Sequence, residues 1–238
     1  ICNGASYAGI HPVTFEYAVG CNADNIHAVG TYCAVVMRFY NTHYITENSS
    51  LSNPPDIDTG GKGYFTQQLY CLYGTVRNCK TSMARHLNDF TASAYMTVQD
   101  CQANGDVYGA FITHGQYEHD LTYINNAGLM SFANSGISWG SSAKNIIVKK
   151  QTGCNVNGGN YITNLTLEDC HIIYDNNPNL TLAARMNGTI HVNCDGIVMR
   201  NCTADRMLYM FANTNLSRRP NVIENCDFQL TYAEAGTT

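Results

Sequence analysis

The sequence predicts an all-β fold, a parallel β-solenoid, on three observations. A short phrase recurs along the chain: "VRNC" at 76–79, "VQDC" at 98–101, "LEDC" at 167–170, "MRNC" at 199–202 and "IENC" at 223–226, with weaker copies "YINN" at 123–126 and "VKK" at 148–150. The ends of successive copies lie 22, 25, 24, 20, 32 and 24 residues apart, which suits one solenoid coil and is too short for a propeller blade. The composition agrees. With 27 Asn, 16 Tyr and 20 Gly but only 13% charged residues, strands joined by Asn- and Gly-bearing turns are favoured over surface helices, which want Glu, Lys and Ala.

The phrase makes sense as a coil corner. Its apolar first residue points inward and the next points out, by strand alternation. Asn or Asp then takes the bend, because it tolerates the left-handed conformation and bonds its own backbone. Cys turns back inward, followed two places later by Ala103, Ile172, Ala204 or Phe228. Stacking such coils gives a ladder of Asn at the corner and of Cys inside it. In chain order, 47–63 ("ENSSLSNPPDIDTGGKG") reads as a projecting loop, and 174–190 ("YDNNPNLTLAARMNGTI") as the insertion behind the step of 32. No domain boundary is evident, so 1–238 is expected to be a single β-helix domain. The chain opens "ICNGASYAGI" and stops after "TYAEAGTT"; it is expected to be a fragment of a longer chain, its uncapped ends covered by other domains or by symmetric copies.

A net charge of −5 argues against a nucleic-acid partner, and no apolar run approaches the ~20 residues of a membrane span. Eleven Cys with no CxxC pair argue against a zinc ribbon and for buried free thiols. No G-x-S-x-G, Walker A or H-E-x-x-H motif occurs, and Asp56 and Asp58 with Gly60 and Gly61 lack the EF-hand spacing, so no cofactor or metal is expected. Lys149, Lys150, Arg218 and Arg219 read as solvated pairs.

The chemistry is concentrated in "ARHLNDF" (84–90) and "THGQYEHD" (113–120), in neighbouring coils. His86 and Tyr108 each fall seven residues beyond a corner, and His114 and Trp139 thirteen, which sets each pair side by side if the coils keep register. A face of His, Tyr and Trp suits sugar rings. The catalytic candidates are His86, Asp89, His114, Glu118 and Asp120. His114 or Glu118 would serve as general base and Asp89 or His86 as acid. The substrate-binding candidates are Arg85, to hold an anion, with Tyr108, Tyr117, His119 and Trp139.

With "ARHLNDFTASAYMTVQDC", "GAFITHGQYEHDLTYINN" and "WGSSAKNIIVKK", the chain resembles the tailspike or pre-neck appendage proteins of phages that infect Gram-positive bacteria, over roughly 75–230. The resemblance implies a right-handed parallel β-helix, a pectate-lyase-like solenoid, assembled as a homotrimer on the virion and joined to other virion proteins. It implies assembly in the bacterial cytoplasm, where thiols stay reduced, and action at the host cell surface without membrane insertion. It also implies binding, and in some members hydrolysis, of wall teichoic acid or another surface glycan. A non-catalytic adhesin for the same polymer and a secreted polysaccharide lyase are the alternatives.

Overall fold

The computed structural model describes residues 2–3, 11–106, 108–132, 144–153, 155–158, 162–174, 188–192, 196–210 and 219–233. Among these residues there is no helix, and the strands stack in parallel register into three sheets. The first sheet holds the short strands that follow each repeat phrase, such as Ser50–Ser52, Lys80–Ser82 and Gln102–Asn104, and continues through bridges from Gln102 to Ala127 and from Ala127 to Thr152. The second contains Cys33–Arg38, Tyr64–Leu69, His86–Thr91, Phe111–Thr113 and Met130–Phe132. The third contains Thr42–Glu47, Leu72–Arg77, Ala94–Gln99, His119–Ile124, Lys144–Lys149 and Thr163–Glu168. The chain passes repeatedly from third to first to second sheet, one coil per circuit.

The repeat phrase is the corner between the third and first sheets. Val76, Val98, Leu167 and Met199 are buried, and Cys79, Cys101, Cys170 and Cys202 turn back into the core as free thiols. Between them Asn78, Asp100, Asp169 and Asn201 take left-handed backbone at φ 50°, 54°, 54° and 52°. Their side chains climb from coil to coil: Asn78 Nδ2 donates to Asn48 Oδ1 at 2.7 Å, Asn125 to Asp100 at 2.6 Å and Asn201 to Asp169 at 3.0 Å. The weak copy at 148–150 is displaced by one residue. Lys150 takes the left-handed bend, and Gln151 is the residue in register with Asn126 and Cys170.

The loop read at 47–63 is shorter. Ser50–Ser52 is a strand, and only 53–63 projects. It folds back over the outside of the second sheet, where Cys33 Sγ lies 3.7 Å from Gly61 O and Gly61 N donates to the Tyr64 hydroxyl at 3.2 Å. Asp56 Oδ1 accepts from the Asp58 and Thr59 amides and its Oδ2 pairs with Lys62. The insertion at 174–190 lies largely outside the described residues. Arg219 is not solvated; it donates to Thr166 Oγ1 and to the carbonyls of Leu165 and Gly196.

Inside, Met37, Phe65, Leu87, Phe90, Phe111, Leu121 and Phe132 stack as the core. A polar string runs through it, from the Tyr44 hydroxyl to Gln68 Oε1 and from Gln68 Nε2 to Asn88 Oδ1, both at 2.6 Å. Tyr44 pairs with Gly74, where an added Cβ would meet the ring at 2.3 Å. Glycine is the residue that leaves room for that ring.

Candidate functional site

Three of the predicted residues hold the scaffold. The Arg85 guanidinium donates to Ile57 O at 2.7 Å and Asp58 O at 3.1 Å and lies 4.1 Å from the centre of the Tyr108 ring. The Tyr108 hydroxyl donates to Asp58 Oδ1 at 2.8 Å. The two residues clamp the 53–63 loop, so Arg85 spends its charge on carbonyls and not on a ligand. His86 is not beside Tyr108. It is buried, stacks on Tyr64 at 4.8 Å and engages Gly109 O through Nδ1 at 2.6 Å. Burial drives its pKa down to about 3, against the Gly109 hydrogen bond; a ring that stays neutral and enclosed is no acid for a substrate.

Asp89 and His114 do meet. Asp89 faces outward from the second sheet but is fully covered, and His114 Nδ1 donates to its Oδ1 at 2.6 Å. Thr91 Oγ1 lies 3.2 Å from the same nitrogen. Among the described residues Asp89 Oδ2 has no hydrogen-bond partner although it is buried, a cost that calls for a reason. Burial alone would lower the pKa of His114. The hydrogen bond and charge of Asp89, with the charge of Glu118, outweigh it and hold the imidazole above its ordinary value.

Glu118 belongs to a turn and Asp120 to a strand of the third sheet. Glu118 is buried where the second sheet hands over to the third, in register with Ser93, Cys71 and Asn41. Asn41 accepts the Ala18 amide and Ser93 the Cys71 amide; Glu118 likewise accepts Ala92 N at 3.0 Å through Oε1 and Gln116 N at 2.9 Å through Oε2. Burial raises its carboxyl pKa, although those amides and His114 favour the charged form. Asp120 sits in a ladder on the third sheet, accepting from Asn145 Nδ2 at 3.3 Å, with Asn164 donating to Asn145 at 2.8 Å. It also accepts from His119 Nδ1 at 2.7 Å. Trp139 lies outside the described residues.

Tyr117 and His119 open onto a groove that sequence reasoning did not find. Tyr40, Asn41, Thr42, Tyr70, Leu72, Ala92, Ala94, Gln116, Tyr117 and His119 enclose about 490 Å³ along the edge between the second and third sheets. Tyr17, Tyr40 and Tyr70 follow one another up this edge at ring spacings of 6.1 and 6.0 Å. Beside it on the third sheet, His43, Tyr73 and Tyr95 stack at 4.9 Å each, and His119 meets Tyr95 edge-on at 5.2 Å. Tyr40 and Tyr117 are 68% and 53% exposed, so these are surface rings and not core. Among the described residues the groove lining carries no Lys, Arg, Asp or Glu, and the Lys144 ammonium lies 5.5 Å from the centre of the Tyr117 ring.

The structure is similar to that of a mutant of the tailspike protein of E. coli bacteriophage HK620, solved in complex with a pentasaccharide, with 12% sequence identity and a TM-score of 0.53. The fold is shared with a tailspike. The match covers 92% of this chain and 43% of that one, so this chain spans less than half of that tailspike's length. A weaker likeness, TM-score 0.36 and 8% identity over 93% of this chain and 87% of that one, is to the A-module of the Azotobacter vinelandii mannuronan C-5 epimerase AlgE4. No protein-family model and no curated protein matches the sequence.

Proposed function

We propose that this chain is the β-helical part of a tailspike-type appendage, trimeric on a phage virion, that binds a carbohydrate polymer of the host surface along the aromatic groove. The observation that carries the reading is the double line of exposed rings along the groove. Aromatic faces stack on the C–H faces of sugars. A tailspike of the same fold was solved holding a pentasaccharide, which makes that ligand class the first to test. Stacking on rings favours sugars over a phosphate backbone, so on wall teichoic acid the groove would take the glycosyl substituents.

The test is titration of the chain with glycosylated wall teichoic acid and with the same polymer stripped of its sugars. Binding of the first alone, weakened at least tenfold by Tyr40→Ala, is the expected result. Equal binding of both polymers would sink the groove as the reader of the sugar.

Hydrolysis is a second reading, favoured by one pair. Asp89 fixes the tautomer of His114 and keeps it readily protonated, and His114 lies two residues before Gln116 in the groove wall. Such an imidazole could exchange a proton with a glycosidic or phosphodiester oxygen. Fragments released by the parent chain and not by His114→Ala or Asp89→Asn would establish a depolymerase. Retention without fragments would leave an adhesin.

A further inference from the structure

A second hollow adjoins the aromatic groove. Tyr117, Glu118, His119, Asp120, Lys144 and Asn145 enclose about 190 Å³, and Tyr117 and His119 line both hollows. It lies where the row of rings on the third sheet gives way. Ala94 pairs with His119 and His119 with Lys144, so Asp120 follows Tyr95 and Asn145 follows Asp120. Both carboxylates in the recess are engaged. Glu118 accepts two backbone amides, and Asp120 accepts from His119 Nδ1 through Oδ2 and from Asn145 Nδ2 through Oδ1. Lys144 differs. Lys149, at the far end of the same strand, pairs with Glu168 at 2.8 Å. Among the described residues Lys144 forms no salt bridge, although Asp120 lies in the next coil, and its ammonium lies over the Tyr117 ring instead.

We infer that this recess is an anion subsite, in which Lys144 binds the phosphodiester or carboxylate of a glycan whose neighbouring sugar stacks in the groove. The inference rests on the glycan-binding reading above and names the charged group that the same ligand carries. An aromatic face attracts an ammonium without using all three of its donors. A charge-assisted bond to an oxyanion is the strongest use of those that remain. The carboxylates beside it have their oxygens occupied by protein donors, which leaves Lys144 as the charged group with bonds still to give. Because Tyr117 borders both hollows, one ligand can place a sugar on the rings and an acid group at Lys144. A phosphodiester and a uronate present the same chemistry there, a singly charged oxyanion attached to a sugar.

Lys144→Gln removes the charge and Lys144→Arg keeps it. Each variant is first checked for an unchanged circular dichroism spectrum and melting temperature. The probes are glycosylated wall teichoic acid, its neutral glycosylated repeat unit freed of phosphate, and a teichuronic acid, whose charge sits on carboxylates. Lys144→Gln is expected to lose about fivefold in affinity for a charged polymer, the scale of one exposed ion pair, and nothing for the neutral unit. Lys144→Arg is expected to bind as the parent does. The polymer that shows the loss identifies the anion as phosphodiester or carboxylate, and a loss on both assigns either. Unchanged binding of both charged polymers by Lys144→Gln, with Tyr40→Ala weakened, overturns the subsite and leaves the groove reading standing. An equal loss on the neutral unit also overturns the subsite, since Lys144 would then serve the sugar. A parent that binds none of the three probes overturns both readings.

Discussion

At the corner after the third sheet, left-handed backbone is occupied by Asn48, Asn78, Asp100, Asn125, Asp169, Asn201 and Asn225; at the edge before it, by Tyr17, Tyr40, Tyr70, Ala92 and Tyr117. The backbone problem is the same and the side chains differ. Asn and Asp enter this region at little cost and bond coil to coil, so the corner is explained by folding alone. A tyrosine there costs roughly 1–2 kcal/mol and gains only partial stacking on an exposed face. Strain kept where stability does not need it points to use. One row on the third sheet shows the change within itself: His43, Tyr73 and Tyr95 are followed in register by Asp120, Asn145 and Asn164, all left-handed. The aromatic surface ends where the Asp/Asn ladder begins.

The comparison presumes an intact scaffold, and the largest expected effect tests that. His86 titrates at about 3 in the fold and near 6.5 unfolded. Above pH 6.5 both states are neutral and its contribution is whole. Below it the unfolded chain takes up the proton first, so stability falls by about 1.4 kcal/mol per pH unit down to about pH 3. Urea midpoints between pH 7 and pH 4 should follow that slope, and His86→Phe, which keeps the stacking on Tyr64, should flatten it.

Next in size is Glu118→Ala, which strips the acceptor from two backbone amides and should cost about 2–4 kcal/mol, read as a lowered melting temperature. A variant of parental stability that has lost turnover would return Glu118 to catalysis. The paired substitutions Asn78→Val and Tyr70→Asn set the two turns against each other. The first should lose about 2 kcal/mol of stability and keep polymer binding. The second should be neutral or up to about 1 kcal/mol more stable and lose binding about tenfold; the opposite pattern would break the comparison. Smallest is Arg85→Lys. It should cost about 0.5–1 kcal/mol, open the 53–63 loop to limited proteolysis and leave polymer affinity unchanged.

The pattern Val76–Arg77–Asn78–Cys79 and its repeats state in sequence which residue points in, which bends and which returns. Strand alternation and left-handed tolerance are properties of a residue and its immediate neighbours, and so the coil length, the Asn ladder and the inward thiols were legible without coordinates. The site was not, because counting from the corner fails at the opposite turn, where coils differ in length. Thr91 and Ser93 stand two residues apart, whereas their partners His114 and Glu118 stand four apart. An offset that holds before that turn is wrong after it, and even before it the coils slip by one: Asn88, nine residues beyond Cys79, pairs with Phe111, ten beyond Cys101, so Arg85 and not His86 meets Tyr108. The tyrosines before Asn41, Cys71 and Glu118 were visible as letters, but only stacked coils bring them into one line. Sequence by itself determined the solenoid, since its rules are local and repeated. Tertiary structure decided which residues meet, since contacts between coils depend on register accumulated across every intervening turn.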